Sequence, residues 1–375
     1  MIKALLNLPH VDDALSRCTN TIQLAFADLS ITVHSNETML LAGIADYYRS
    51  YLKLPTTLKL PATLKQTTAP TTALQVFAIE QDAVGEELNW LDVPREAGKQ
   101  GRKEGYLDVE GGRWIKKFKT GMVFLQRPDQ VVAVGPCSAN VAQIINFINN
   151  QFLNHYLRQG FSLGHASGFS VKGEVTAIAA GSGGGKSTLM LRCLENPERN
   201  FLTNDRILIK KTAQGTATMG LAKLPRVNPG TLLHADRLRH ILPEARQAAL
   251  REMPQSELWS LEEKYDVQIE DEYGADRVCL TGHLSRLVML DWSLNSPEPT
   301  CLERVDLATQ PDVIEGLRKR PGPFYQDNEG VFADLNAIDS VAHYADELAN
   351  VTVYRLTGKI DFDRAYELIA ALDPA

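Results

Sequence analysis

The run Ala180-Gly181-Ser182-Gly183-Gly184-Gly185-Lys186-Ser187-Thr188 constrains this chain more than any other stretch. It follows the apolar segment Glu174-Val175-Thr176-Ala177-Ile178-Ala179 and precedes the helix-forming Leu189-Met190-Leu191-Arg192-Cys193-Leu194. A strand, a Gly-rich loop and a helix in that order are the setting of a phosphate-binding loop. Glycines let the backbone curl so that successive N–H groups converge on an anion. The helix N-terminus adds the positive end of its dipole. In this reading Gly181, Ser182, Gly183, Gly184, Gly185, Ser187 and Thr188 cradle the phosphates of ATP. Lys186 reaches the β- and γ-phosphates, and the Ser187 hydroxyl is a ligand for Mg²⁺. Ala180 stands where such loops usually carry their first Gly, a small change at a position that opens the turn. The plainer alternative is a Gly-rich turn before a helix.

The flanking pattern narrows the fold. Strands are expected at 200–203, 206–210, 216–221, 286–290 and 351–356, with helices at 187–195, 333–349 and 362–372. Strand and helix alternate, so this half is α/β, with room for a mixed sheet. Residues 234–276 read as helix-rich and charged, and the acidic run 262–276 as a solvated face. The first half differs. Runs at 21–26, 31–34 and 74–79 read as strands, and those at 106–109, 113–119, 121–126 and 130–135, punctuated by Gly111–Gly112, Gly121 and Gly135, as an antiparallel pattern. Two helices are expected beside it. One spans 37–52, capped by Ser35 or Asn36. The other spans 140–158, with Val141, Ile144, Ile145, Ile148, Phe152 and Tyr156 on one face and a stop at Gly160. The 54–72 stretch, rich in Pro and Thr, reads as an irregular connection. The expected organisation is a smaller N-terminal α+β domain, residues 1–158, for substrate recognition or assembly, and a P-loop domain, residues 159–375.

Composition agrees with two soluble domains. At roughly 150 residues per domain, 375 residues suggest two domains or three. Apolar residues at 44% and charged residues at 23% are ordinary for globular proteins and exclude a disordered chain. A net charge of −7 argues against a protein built to coat nucleic acid. The basic loop holding Lys99, Arg102 and Lys103 has no interleaved aromatics and reads as solvated. Cys18, Cys137, Cys193, Cys279 and Cys301 are odd in number and include no C-x-x-C pair, so neither a disulfide framework nor a zinc knuckle is indicated. His234, Asp236 and His240 lack the i, i+4 spacing of a helical metal site. The first apolar stretch is broken by Asn7 and Pro9, too early for a signal peptide, and no stretch approaches the ~18 apolar residues of a membrane span. The expectation is a cytoplasmic protein with neither membrane nor nucleic acid as partner.

Four further motifs surround the loop. His165-Ala166 precedes it. The apolar strand Phe201-Leu202-Thr203 ends in Asn204-Asp205-Arg206. Lys223-Leu224-Pro225-Arg226-Val227-Asn228-Pro229-Gly230 follows, and Arg286-Leu287-Val288-Met289-Leu290 ends in Asp291-Trp292. In these motifs the stretch from about 161 to 295 resembles the HPr kinase/phosphorylase family. The resemblance implies the sheet-rich kinase fold shared with phosphoenolpyruvate carboxykinases, use of ATP and Mg²⁺, and homo-oligomers. It also implies that Asp205 is the carboxylate that holds Mg²⁺ or accepts the nucleophile's proton. The chain departs from the family at Asn204, where the family has Asp, and at Gly181, where the family also has Asp. The segment 234–276 is additional. The Pro225–Gly230 signature differs from that of the bifunctional enzymes, so neither a reverse phosphorylase activity nor HPr as substrate follows.

Residue chemistry fills in the roles. A carboxylate at a strand end near the loop suits metal binding or proton acceptance, or merely caps a turn. Asn204 removes a like charge beside Asp205 and thereby lowers its pKa. His165 can hydrogen-bond the neighbouring carboxylate or sit as a satisfied core histidine. Arg226 can clamp a γ-phosphate or serve as a surface Arg, and Lys223 is the weaker candidate. Asp291 ends an apolar run that mimics a Walker B strand, and reads as a strand-end acid with a structural role before a functional one. The activity expected is ATP- and Mg²⁺-dependent transfer of a γ-phosphoryl group to a hydroxyl acceptor, a protein serine or a small molecule. Asp205, His165, Lys186 and Arg226 form the catalytic set, with Ser187 and Asp205 on the metal. The alternatives are a P-loop ATPase or nucleotide switch acting on a protein partner, and an inactive binding module that kept the loop. No N-K-x-D segment, which a base-reading switch would favour, occurs.

Overall fold

Alternating apolar and polar residues at the start of the chain form strands that pair edge to edge. The computed structural model describes residues 11–52, 72–83, 88–95, 101–128, 130–181, 183–261 and 263–374. Most of the expected 54–72 connection lies outside them. The chain divides into two compact units, Met1–Gln159 with Arg320–Ala337, and Gly160–Lys319 with Ile338–Ala375.

The first unit holds strands β1 (Asn20–Phe26), β2 (Leu29–Ser35), β3 (Thr72–Glu80), β4 (Leu91–Asp92), β5 (Glu104–Val109), β6 (Gly112–Lys117), β7 (Val123–Gln126) and β8 (Val131–Gly135), and helices α1 (Val11–Ser16), α2 (Thr38–Tyr47) and α3 (Val141–Arg158). The strands form one sheet in the order β1-β2-β3-β8-β7-β6-β5-β4. β5 to β8 pair antiparallel as their pattern predicts, whereas β2 with β3 and β3 with β8 pair in parallel, so the sheet as a whole is mixed. A parallel neighbour needs a crossover, and α2 lies within the one from β2 to β3. α2 ends at Tyr47, earlier than expected, and its cap is Glu37, whose carboxylate accepts the Met39 N–H at 2.8 Å. Asn36 cannot cap it because its side chain bridges to the backbone of Glu80. The core of the sheet's far end gathers Trp114, Val123, Val132, Val134 and Ile79. Residues 320–337 return to this unit, a feature that one cut at 158/159 does not contain. Phe324 sits edge-on to Phe124, and its backbone carbonyl accepts a hydrogen bond from Asn154 at 2.8 Å.

The second unit holds β9 (Ser162–Gly164), β10 (Ala166–Val171), β11 (Glu174–Ala179), β12 (Asn200–Thr203), β13 (Ile207–Thr212), β14 (Gly215–Gly220), β15 (Arg226–Val227), β16 (Tyr265–Asp266), β17 (Thr281–Ser293), β18 (Cys301–Val305) and β19 (Thr352–Lys359). Its helices are α4 (Lys186–Cys193), α5 (Pro229–Leu233), α6 (Glu244–Arg251), α7 (Gln255–Ser260), α8 (Ile269–Tyr273), α9 (Val341–Glu347) and α10 (Phe362–Ala370). Nine strands form a mixed sheet, with β15 and β16 a separate ribbon. β11 lies between antiparallel β10 and parallel β17, and β17 is parallel to β19. Successive residues of β11 and β17 point to opposite faces. Ile178 and Val288 join a core with Leu189 of α4 and Ile369 of α10. Ala177, Ala179, Leu287 and Met289 join the opposite core with Tyr344 and Leu348. A sheet covered on both faces is the α/β solution for strands with near-continuous apolar runs.

Three expectations change here. The helix expected at 333–349 is only α9, capped by Ser340, whose hydroxyl accepts the His343 N–H. The strand expected at 286–290 is the middle of β17, which is long because it pairs with three partners. In 262–276, Val267, Ile269 and Tyr273 are buried, so this run is an amphipathic cover and not simply a solvated face. Glu262 lies outside the described residues. No helix among the described residues is long and apolar enough to cross a membrane.

Candidate functional site

β11 delivers the chain into the Gly-rich loop, and α4 leaves it. Gly183 and Gly185 adopt φ of +78° and +85°, the left-handed region that only Gly enters without strain. Gly185 is the N-cap of α4. The loop is propped from outside. Trp292 Nε1 donates to the Gly184 carbonyl at 3.0 Å, and the Trp292 ring meets Phe362 edge-on at 5.1 Å. Lys186 is buried, and its Nζ folds back to donate to the carbonyls of Ala180 at 2.9 Å and Gly181 at 3.0 Å. The lysine is thus stationed over the loop's own curve. Thr188 points away, its hydroxyl 2.7 Å from that of Thr231 on α5. Ser187 is half-buried in the first turn of α4. Ser182 lies outside the described residues.

The antiparallel register places Ala166 opposite Ala179, and Gly168 opposite Thr203. His165 and Asp205 are therefore brought to the loop end of β11. His165 Nε2 lies 3.5 Å from Asp205 Oδ1, Arg206 donates to the same oxygen at 2.6 Å, and Lys223 Nζ donates to Oδ2 at 3.2 Å. Burial opposes ionisation of Asp205, but Arg206, Lys223 and His165 overcome it and bring the carboxyl down to about 2. Burial and the charges of Lys186 and Arg206 push His165 down to about 4, so it is neutral at pH 7. Burial likewise lowers Lys186 to about 8, against the pull of Asp205. Lys319 adds another cation to this field. Lys186, Arg206, Lys223 and Lys319 outnumber Asp205 and the Asp266 carboxylate that also faces Lys223, so the patch attracts anions. Asn204 is buried beside it, with Oδ1 lacking any hydrogen-bond partner.

Arg226 stands apart from this patch. It lies on the β15–β16 ribbon, half exposed, with Nε 3.0 Å from Asp266 Oδ1. Asp266 is the ordinary partner of an Arg that holds a ribbon together. His240 and Asp236 are taken by Glu272 and Arg239 respectively. Sequence reasoning did not single out Arg206 or Lys319 as part of the cationic field, and it favoured a structural role for Asp291 over a functional one. Asp291 is exposed at the end of β17, where it lines a cleft against Gly181. Arg206 carried a signal, adjacency to Asp205. Lys319 carried none, because only the fold brings it near.

No cluster of three or more His, Cys, Asp or Glu that could hold a metal ion occurs among the described residues. Mg²⁺ carried on nucleotide phosphates needs only one or two protein oxygens; Ser187 offers a half-buried hydroxyl, and Asp205 a carboxylate whose two oxygens Arg206 and Lys223 hold. The donor set fits a nucleotide-borne ion.

No protein-family model matches the chain, nor does any curated protein. Among solved structures it is similar to the HPr(Ser) kinase/phosphatase from Coxiella burnetii, at 11% identity and a TM-score of 0.28, over 56% of this chain and 87% of that one.

Proposed function

We propose that the second unit is an ATP- and Mg²⁺-dependent phosphotransferase of HPr kinase-related type, moving a γ-phosphoryl group to a hydroxyl on a protein serine or a small molecule. The first unit recognises the acceptor or mediates assembly. The observation that carries this reading is the gathering of Lys186, Asp205 and His165 at the loop end of β11, with a surplus of positive charge around the Asp205 carboxylate.

The loop N–H groups and the α4 N-terminus hold the phosphates. Lys186 turns from the Ala180 and Gly181 carbonyls to the β- and γ-phosphates, and Arg206, Lys223 and Lys319 offset their charge. Ser187 and Asp205 would hold Mg²⁺, which would supply positive charge against that developing on the transferred phosphoryl group. A carboxylate at about 2 is a poor base while Arg206 and Lys223 hold it. Phosphates that draw those two cations away restore its basicity. Asp205 then takes the acceptor's O–H proton as the new O–P bond forms and the bond from γ-phosphorus to the β–γ bridging oxygen breaks, releasing ADP. His165, neutral and 3.5 Å away, orients the carboxylate. Arg226 has a place in this scheme only if it leaves Asp266.

Asp205→Asn tests the reading, with γ-labelled ATP and candidate acceptors from the same cell. Transfer of label should fall by about 10²–10⁴ while ATP still binds. Full transfer by the folded variant would remove Asp205 from catalysis. Labelled phosphate released by the parent protein with none in any acceptor would favour the ATPase reading.

A further inference from the structure

Beyond the cationic patch, the loop has a second flank. His165 and Asp205 of the patch adjoin β10 and β12 on one side of β11, and the His165 N–H donates to the Leu317 carbonyl at 2.7 Å. On the other side the ends of parallel β17 and β19 and the turn Pro311–Leu317 enclose a cleft of about 540 Å³, lined in part by Gly181, Asp291, Gln310, Asp312 and Arg355. The turn is fitted to the loop. A Cβ on Gly316 would come within 3.3 Å of the Ala180 carbonyl carbon, so Gly lets the two backbones touch. A Cβ on Gly181 would meet nothing within 4 Å, so the loop opens directly into the cleft.

The cleft's charges do not suit phosphate. Arg355 is spent on Glu303, with Nε donating to Oε1 at 2.7 Å. The carboxylates of Asp291 and Asp312 have no hydrogen-bond or ion-pair partner among the described residues. Two bare carboxylates repel a polyphosphate but accept hydrogen bonds from hydroxyls. A carboxylate at a strand end beside a phosphate loop is well matched to a ribose diol, its two oxygens facing two vicinal O–H groups. Met289, Leu290, Pro311 and Val313 supply the apolar wall a base needs, and the volume is that of a small-molecule site.

We infer that this cleft is the nucleoside half of the nucleotide site, with Asp291 receiving the ribose hydroxyls. The inference rests on the reading of the loop as a triphosphate site. In-line transfer sets the nucleoside and the acceptor at opposite ends of the phosphate chain, and the two flanks of β11 supply those two ends. Asp291 is then a specificity residue, not part of the transfer machinery.

Calorimetry with two probes separates the flanks: Mg²⁺·tripolyphosphate, which needs only the loop, and Mg²⁺·ATP, which needs both. For Asp291→Asn, ATP affinity should fall about tenfold, the worth of hydrogen bonds to a charged group, with tripolyphosphate within about twofold. Parent protein should lose a similar factor on 2′,3′-dideoxy-ATP, and the variant should not distinguish the two nucleotides. Gln310→Trp, which fills the exposed mouth of the cleft, should weaken ATP and spare tripolyphosphate. If both variants keep parental ATP affinity, the cleft assignment is overturned while the loop reading stands. If Asp291→Asn weakens tripolyphosphate as much as ATP, the carboxylate serves the phosphate end through the metal, which also overturns it. If the parent binds neither probe, the loop reading fails and takes the cleft with it.

Discussion

Lys186 is a buried cation whose charge depends on what sits in front of it. With its folded pKa at about 8, below the ordinary lysine value, it loses its proton as pH rises past 8. Tripolyphosphate affinity should therefore fall between pH 7 and 9, and Lys186→Ala should bind far more weakly with a flat profile over that range. A steep profile in the variant would assign the titration elsewhere. His165 tests the same field through stability. Its folded value of about 4 lies below the ordinary 6.5, so between those pH values the unfolded chain holds a proton that the folded chain lacks. Stability from this group is present above about 6.5 and is lost as pH falls toward 4. His165→Asn should flatten that part of the urea midpoint against pH, and an unaltered slope would show that His165 is not responsible.

At the scale of the element, the loop is held as much from outside as by its own glycines. Trp292→Phe keeps a ring near Phe362 but removes the N–H that holds the Gly184 carbonyl at 3.0 Å. A lost hydrogen bond of about 1 kcal/mol should raise the Kd for tripolyphosphate roughly fivefold. Equal affinity would make the indole a packing group only. Gly185→Ala is more severe. It places a side chain at φ +85° and a Cβ 3.1 Å from the Phe362 ring, at the first turn of α4. Phosphate binding should be lost with little change in far-UV circular dichroism, because the clash is local to the loop.

At the scale of the whole molecule, the return of 320–337 is what a linear division misses. Phe324 is buried against Phe124 and Phe147, with Lys117 Nζ 5.4 Å from its ring centre. Phe324→Ala should cost about 3–5 kcal/mol in the first unit. Tripolyphosphate binding by the second unit should persist below the lowered unfolding temperature. Loss of both together would mean that the two units unfold as one.

The strand, glycine turn and helix around Lys186 were legible because their determinants are local. A strand, a glycine turn and a helix are encoded in consecutive residues, and their hydrogen bonds close within the segment. The α3 face was legible for the same reason, from its helical period. The expected pairing of His165 with Asp205 came from a resemblance, not from any period in the chain; the sheet register brings them together through β10 and β12. Parallel pairing of β2, β3 and β8 was hidden because strand direction depends on crossover connections, which alternation does not record. The roles of Arg206, Lys319 and Asp291 were hidden for a related reason. An isolated Lys or Asp has no sequence signature, and its charge acts on whatever the fold sets within a few ångströms. Residue order therefore decided the loop and the class of its layers. Tertiary structure alone decided which cations surround Asp205, which acid faces the cleft, and where residues 320–337 belong, because these depend on contacts between segments far apart in the chain.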